Sequence, residues 1–252
     1  MAGRVAGKVA LVTGGAMGLG KADCEALARE GAKVIVTDRD AELAHQVAAE
    51  IGGDAMALDV TSEDQWIEVM RAVEERHGGL DILVNNAGNV IFESIEDCSL
   101  AHFKLHLEIH VVGTFLGCKY AVPLMKHRHE AVGGGGSSII NMASTAALMG
   151  YGNIPAYAAC KAGIAGMTRS LAMDFQDKGY GIRVNAIAPG LTLVEATEYV
   201  PQARHDHYLN GRAIQRPQIP EDVNAAALFL LTQGSGFITG QLLPVNGGFV
   251  MH

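Results

Sequence analysis

The tightest constraint on the fold is local. A short apolar run, Val9 to Val12, ends in Thr13-Gly14-Gly15-Ala16-Met17-Gly18-Leu19-Gly20. Lys21 to Glu30 follows with Ala22, Ala26 and Leu27 at helical spacing, and Gly31 closes it. Strand, glycine loop and helix in this order are the setting a dinucleotide-phosphate loop needs. The missing side chains let the backbone approach a pyrophosphate, whose charge sits at the helix N-terminus. Glycine loops also make ordinary turns, so the pattern argues through this context rather than alone.

The same alternation continues along the chain. Strands are expected at Lys33 to Thr37, Ala55 to Leu58, Asp81 to Val84, Ser138 to Asn141, Gly181 to Ile187 and Gly240 to Asn246. Helices are expected at Ala41 to Ile51, Ser62 (as cap) to His77, Leu100 to about Lys126 with a break near Gly113 or Pro123, Pro155 to Gln176, and Glu221 to Leu231. Gly133 to Gly136 reads as a flexible connector too short to link domains, and residues 191–218, weakly periodic and polar, read as a mobile lid. Seven alternations without a composition break predict a single α/β domain over residues 1–252: a doubly wound, seven-stranded parallel sheet with helices on both faces, the Rossmann fold.

Composition narrows the function. A net charge of −8 with no basic run argues against a nucleic-acid partner. No apolar run is long enough for a bilayer, and Met1-Ala-Gly-Arg-Val lacks a signal-peptide core, so no membrane association is expected. Cys24, Cys98, Cys118 and Cys160 show no metal-ligand or redox spacing. Three of them fall in expected helices, which suits buried free thiols and a reducing cytoplasm.

The chemistry concentrates between Ser144 and Lys161. Tyr157 and Lys161 are four apart on an expected helix and so share a face. A free phenol ionises near pH 10, and a nearby ammonium favours phenolate, at about 1.4 kcal/mol for each unit of lowering. The pair reads as a tuned proton donor and acceptor. Alone it would more often be structural, but it has company. Asp38 ends the second strand, where a carboxylate binds both hydroxyls of an adenosine ribose and repels a 2′-phosphate. That favours NAD over NADP, with Arg39 beside it as a partial offset. Asp59 ends the third strand, where it can meet the adenine. Asn85-Asn86-Ala87-Gly88 ends the fourth and suits a wall beside a cofactor, or a plain turn.

Taken together, Thr13-Gly14-x3-Gly18-x-Gly20, Asp59, Asn86-Ala87-Gly88, Ser144, Tyr157-x3-Lys161 and Pro189-Gly190 make the chain resemble a short-chain dehydrogenase/reductase over nearly its whole length. The thirteen-residue gap from Ser144 to Tyr157 fits that pattern too. The resemblance implies hydride transfer between a nicotinamide and a secondary alcohol or its ketone. Tyr157 would exchange the proton, Ser144 would bond the same oxygen, and Lys161 would hold the nicotinamide ribose. Gly14, Gly18, Leu19, Gly20, Asp38, Arg39, Asp59, Val60, Asn86, Ala87, Gly88, Pro189, Gly190 and Thr192 would contact NAD together with Tyr157 and Lys161.

One position departs. Where the family pattern usually has an asparagine that helps hold a water, this chain has His110, three residues before Gly113. It reads either as a relay that itself carries a proton near neutral pH or as a histidine packed between helices. His102, His106, His127, His129, His205 and His207 form no convincing metal set, and His102 and His106 are expected on a solvated face. The pocket around Thr145, Ala146, Tyr151, Ile154 and Leu191 suggests a hydrophobic, cyclic or aromatic substrate. By resemblance the chain assembles as a dimer or tetramer, with the tail Phe249 to His252 contributing. Two other functions stay open: a nucleotide sensor without turnover, and a reductase of carbon–carbon double bonds.

Overall fold

A computed structural model describes residues 3–131 and 136–251. Gly133, Gly134 and Gly135 of the expected connector lie outside them, as do His252 and the side chain of His129.

The seven strands β1 (Val9–Thr13), β2 (Lys33–Asp38), β3 (Asp54–Ala57), β4 (Ile82–Asn85), β5 (Ser137–Met142), β6 (Ile182–Pro189) and β7 (Leu242–Val245) form one sheet in the order β3-β2-β1-β4-β5-β6-β7. Every pairing is parallel. Such a sheet must be covered on both faces, and the pleat divides the apolar residues accordingly. Ala10, Val12, Val34, Val36, Ile82, Val84 and Ile140 pack with α1 (Gly18–Arg29), α2 (Ala41–Ile51) and α8 (Pro220–Leu231). Val9, Leu11, Ile35, Leu83 and Ile139 pack on the other face with α3 (Glu63–His77), α5 (Gly113–Ala131) and Phe175 of α6 (Pro155–Asp177).

The ends of the helices follow from their residues. Asp40 and Ser62 accept from the backbone N–H groups of Leu43 and Gln65 at the starts of α2 and α3, and left-handed Gly52 and Gly78 close both.

Of the two places where the helix from Leu100 is expected to break, Pro123 is accommodated inside α5, while the helix does depart from regular α geometry just before Gly113. It passes from α4 (Leu100–His106) through a π-helical segment, Leu107–Val112, into α5 at Gly113. Residues 191–218, expected to be a mobile lid, are not uniformly irregular: they hold the ten-residue helix α7 (Gln202–Gly211), and Thr192 forms a parallel bridge with Gln218. Helix α7 has little amphipathic periodicity because one buried ring, Tyr208, anchors it rather than a full apolar stripe.

The chain reverses its direction of travel across the sheet between β1 and β4. Loops diverge there beyond the carboxyl ends of the strands and leave a crevice, the usual ligand position in such sheets.

Candidate active site

The crevice opens into a cavity of about 520 Å³. Its floor comes from the carboxyl ends of β1, β2, β3, β4, β5 and β6, which deliver Gly14, Asp38, Asp59, Asn86, Ser144 and Pro189 in turn. Gly18, Leu19, Arg39, Val60, Ala87, Gly88, His110, Tyr157, Lys161, Gly190 and Thr192 line it as well. Of the residues expected to contact NAD, Gly20 alone does not line it. A Cβ there would stand 2.0 Å from Gly14 O, so this glycine lets α1 pack on its own loop.

At the first end, the glycine loop is braced from below. Asn86 Nδ2 donates to Thr13 O (3.0 Å) and Gly14 O (3.1 Å), and the N–H groups of Asn86 and Ala87 donate to Thr13 Oγ1 (both 3.0 Å). The Asn86-Ala87-Gly88 stretch is therefore the support of the loop as well as a wall. Gly18 opens α1 with φ +56°, which a side chain would resist. Met17, the residue before it, supplies no side-chain cap, so the first N–H groups of α1 keep their capacity for an anion. The Asp38 carboxylate accepts from the N–H of Ala16 (3.2 Å) and of Asp40 (3.1 Å). It is thus fixed beside the loop with its remaining lone pairs available. Asp59 is held by Thr61 N (2.9 Å) and Thr61 Oγ1 (2.8 Å). An uncapped helix start, a glycine turn and a fixed carboxylate at the next strand end are the donor and acceptor set that fits a dinucleotide.

At the other end, β5 and α6 bring three side chains together. Ser144 caps a short 3-10 turn, accepting from Ala146 N–H at 3.1 Å, which leaves its own proton to donate. Tyr157 is half-buried in the first turns of α6, and burial of the phenol raises its pKa while a hydrogen bond with Ser144 pulls it back. Lys161 is 4% exposed, and its Nζ donates to Met142 O at 2.6 Å. Burial lowers its pKa to about 8.

The expected lowering of the tyrosine by the lysine is not found. The ammonium lies 5.4 Å from the centroid of the Tyr157 ring, is committed to a carbonyl, and is itself destabilised by burial. Desolvation of the phenol wins.

His110 sits in the π-helical segment, 1% exposed, with its ring edge-on to Tyr157. Burial, and then the Lys161 charge, hold its pKa at about 2. Both causes oppose a relay that gains and loses charge near neutrality and favour the packed reading. Its Nε2–H donates to Asn89 O at 2.8 Å, and Nδ1 is left as a buried acceptor with no partner among the described residues.

The solvated face expected for His102 and His106 is corrected too. His106 is 1% exposed, stacks on His110 at 5.8 Å, donates from Nδ1 to His102 O (2.9 Å) and accepts from Ile91 N–H (3.3 Å). His102 pairs with Glu93 at 2.7 Å. The loop Ile91–Glu93 folds back over α4 and covers this face, which helical spacing alone does not reveal. No cluster of three or more potential metal ligands occurs among the described residues, and none of the described helices is long and apolar enough to cross a membrane. Cys24, Cys118 and Cys160 are buried free thiols, and Cys98 is a partly exposed one.

Several supporting contacts were not foreseen. Beneath the site Asn85 Nδ2 donates to Asn141 Oδ1 (2.9 Å), and Asn141 Nδ2 donates to Thr168 Oγ1 (3.0 Å), all buried, tying β4, β5 and α6 together. The signal was available in two asparagines standing inside otherwise apolar strands. Above the site, Tyr151 donates to Thr145 Oγ1 (3.0 Å) and stacks on Tyr208 of α7, which stacks in turn on Phe249. Part of the tail expected at an assembly interface therefore packs on α7.

Comparison with known proteins agrees with this geometry. A family model described as "Enoyl-(Acyl carrier protein) reductase" matches residues 14–250. The chain is 38% identical to trans-4-hydroxycyclohexanecarboxylate dehydrogenase of Sinomonas cyclohexanicum, over 97% of this chain and 93% of that one. It is 37% identical to cyclopentanol dehydrogenase of Comamonas sp. (99% and 100% covered). It is 38% identical to the 3-alpha-(or 20-beta)-hydroxysteroid dehydrogenase of Mycobacterium bovis (99% and 92%). A crystal structure titled as a ribose-5-phosphate isomerase from Brucella melitensis superimposes with a TM-score of 0.89 at 32% identity, covering 99% of this chain and 95% of that one. What passes from that structure is the Rossmann fold. With the glycine loop, the serine, the tyrosine and the lysine placed around one cavity, the chain belongs to the short-chain dehydrogenase/reductase family.

Proposed function

We propose that the protein transfers a hydride between NAD(H) and a secondary alcohol, or the corresponding ketone, carried on a hydrophobic ring. The observation that carries this reading is the convergence of Ser144, Tyr157 and Lys161 at one end of a cavity whose other end holds Asp38. Gly14, Gly18 and Asp38 would hold the adenosine and pyrophosphate, and Lys161 the nicotinamide ribose. When bound, the nicotinamide gives or takes the hydride and, oxidised, brings positive charge that favours phenolate.

In the oxidation direction Tyr157 Oη takes the hydroxyl proton of the substrate. In reduction the same atom returns it to the forming alkoxide, and Ser144 Oγ–H donates to that oxygen in both directions. Two donors aimed at one oxygen stabilise the charge that develops there, each such donor being worth roughly 10²–10³ in kcat. His110, held neutral, offers Nδ1 as a hydrogen-bond acceptor beside Tyr157 and Lys161, and we assign it the positioning of the proton path. The preference for NAD rests on Asp38, whose charge opposes a 2′-phosphate.

The cavity wall of Val90, Ile109, Ile154 and Leu191, closed by Tyr151 and Tyr208, supports an apolar ring as the body of the substrate. The relatives named for cyclopentanol, hydroxycyclohexanecarboxylate and hydroxysteroid oxidation support it independently. Reduction of a carbon–carbon double bond is the second reading, favoured by the description of the matching family model. The serine beside the tyrosine favours carbonyl chemistry over it. A sensor without turnover would not need all three side chains.

We also propose assembly into dimers or tetramers through the long helices, since Phe115 of α5 and Met173 of α6 are 48% and 56% exposed. Cytoplasmic residence is supported by the free thiols. A screen of ring alcohols with NAD, read by NADH absorbance, tests the reading. Turnover of ring alcohols supports it, and reduction of enones alone would replace it with the second.

A further inference from the structure

Charge is unevenly distributed around the cavity. Its two lining carboxylates, Asp38 and Asp59, stand at the strand ends that form the nucleotide end. Among the described lining residues of the other end, the cations are Lys161, which is buried against Met142 O, and Arg204. Arg204 projects from α7 on the same face as Tyr208, one turn away, so the lid presents a ring and a guanidinium side by side. The guanidinium lies 4.9 Å from the ring centroid of Phe92, and its Nη2 donates to Gly152 O at 3.2 Å. Those contacts fix its plane. No carboxylate pairs with it among the described residues, and the fork keeps N–H groups beyond the one it spends on Gly152.

We infer that Arg204 is a specificity-determining residue that binds a carboxylate on the substrate ring, remote from the hydroxyl that Ser144 and Tyr157 engage. This rests on the ring-alcohol reading above and sharpens it: the preferred substrate is a hydroxy-substituted alicyclic acid, held by its hydroxyl at one end and its carboxylate at the other. The chemistry is selective for that class. A planar guanidinium pairs with a carboxylate through parallel N–H···O bonds, and stacking on Phe92 orients the fork before the ligand arrives. A chain of net charge −8 gives an anion no general attraction, so the local cation must supply it. A neutral ring alcohol would leave the fork to water. Because the carboxylate is remote from the reacting carbon, its contact is the same in ground and transition states, and its loss falls on KM rather than kcat.

The test compares wild type, Arg204→Met and Arg204→Lys with trans-4-hydroxycyclohexanecarboxylate and cyclohexanol as substrates. In parallel, binding of cyclohexanecarboxylate, which has no hydroxyl to oxidise, is measured calorimetrically with NADH present. We expect Arg204→Met to lower the ratio of kcat/KM for the hydroxy acid over that for cyclohexanol by about ten- to a hundredfold, mainly through KM. Arg204→Lys should recover part of it, and cyclohexanecarboxylate should bind wild type at least about tenfold more tightly than Arg204→Met. An equal loss for both substrates would make Arg204 a latch between lid and loop and overturn the inference. Binding of cyclohexanecarboxylate that ignores Arg204→Met, or is absent from wild type, would overturn it as well. If neither alcohol turns over while the acid still binds through Arg204, the ring-alcohol reading fails and the anion site stands.

Discussion

The imidazole of His110 stands edge-on to the phenol of Tyr157, with ring centroids 5.4 Å apart and planes at 87°. This contact puts a neutral, buried histidine against the residue assigned to proton exchange. Burial and the Lys161 charge both disfavour the imidazolium, so we expect no titration from His110 near neutrality. The kcat/KM for alcohol oxidation should rise with pH as Tyr157 loses its proton, and reduction should fall. Neither profile should show an inflection that His110→Ala removes between about pH 5 and 8. His110→Ala should lower kcat about tenfold by loosening the geometry, and His110→Asn should recover part of it. An inflection near pH 6.5 that vanishes in His110→Ala would show a charged histidine instead.

Gly88 is coupled to the same ring. A Cβ at Gly88 would lie 2.5 Å from His110 Cε1 and 2.9 Å from Nδ1, so the imidazole must move if one is added. Gly88→Ala should depress kcat about as much as His110→Ala, roughly tenfold, and the double variant should be little worse than either alone. Fully additive losses in the cycle would separate the two residues.

Asp38 sets the cofactor preference. Wild type should use NAD at least about tenfold better than NADP by kcat/KM, a difference of ~1.4 kcal/mol or more. Asp38→Ala should narrow that ratio, chiefly by weakening NAD. Steady-state kinetics with both cofactors decides it, and equal use by wild type would point to Arg39 as the dominant charge.

Lys161 leaves a mark on stability. Its pKa is about 8 in the folded chain against 10.5 for the ordinary side chain, the unfolded reference. Between those values the unfolded chain binds more protons, so folding stability gains from this group as pH rises from about 8 towards 10.5. Below pH 8 the buried charge costs roughly 3 kcal/mol at most. Lys161→Met should therefore be more favourable to folding, relative to wild type, at pH 7 than at pH 10. Urea unfolding at the two pH values checks this, and a difference that does not change with pH would contradict it.

Much of the fold could be read from the chain because its signals are local. Gly52 and Gly78 close helices, Ser62 opens one, and apolar runs mark strands buried on both faces. The site was legible for a related reason: strand ends in a parallel sheet converge, so Gly14, Asp38, Asn86 and Ser144 meet without any long-range information. What escaped depends on tertiary contact. Helix α7 is held by Tyr208 against Tyr151 and Phe249, residues far away in the chain. The covering of His106 needs the loop that carries Ile91. The protonation of His110 and Tyr157 depends on how deeply each is buried, which a helical wheel does not report.

Proton exchange by Tyr157 is the centre of the functional reading, and Tyr157→Phe tests it most directly. The variant keeps the ring that packs against His110 and removes only the hydroxyl shared with Ser144. NADH binding, followed by the change in nucleotide fluorescence, should stay within about threefold of wild type, while kcat for a ring alcohol that wild type oxidises falls roughly 10²–10⁴-fold. Turnover close to wild type in a variant that binds NADH normally would place proton transfer elsewhere.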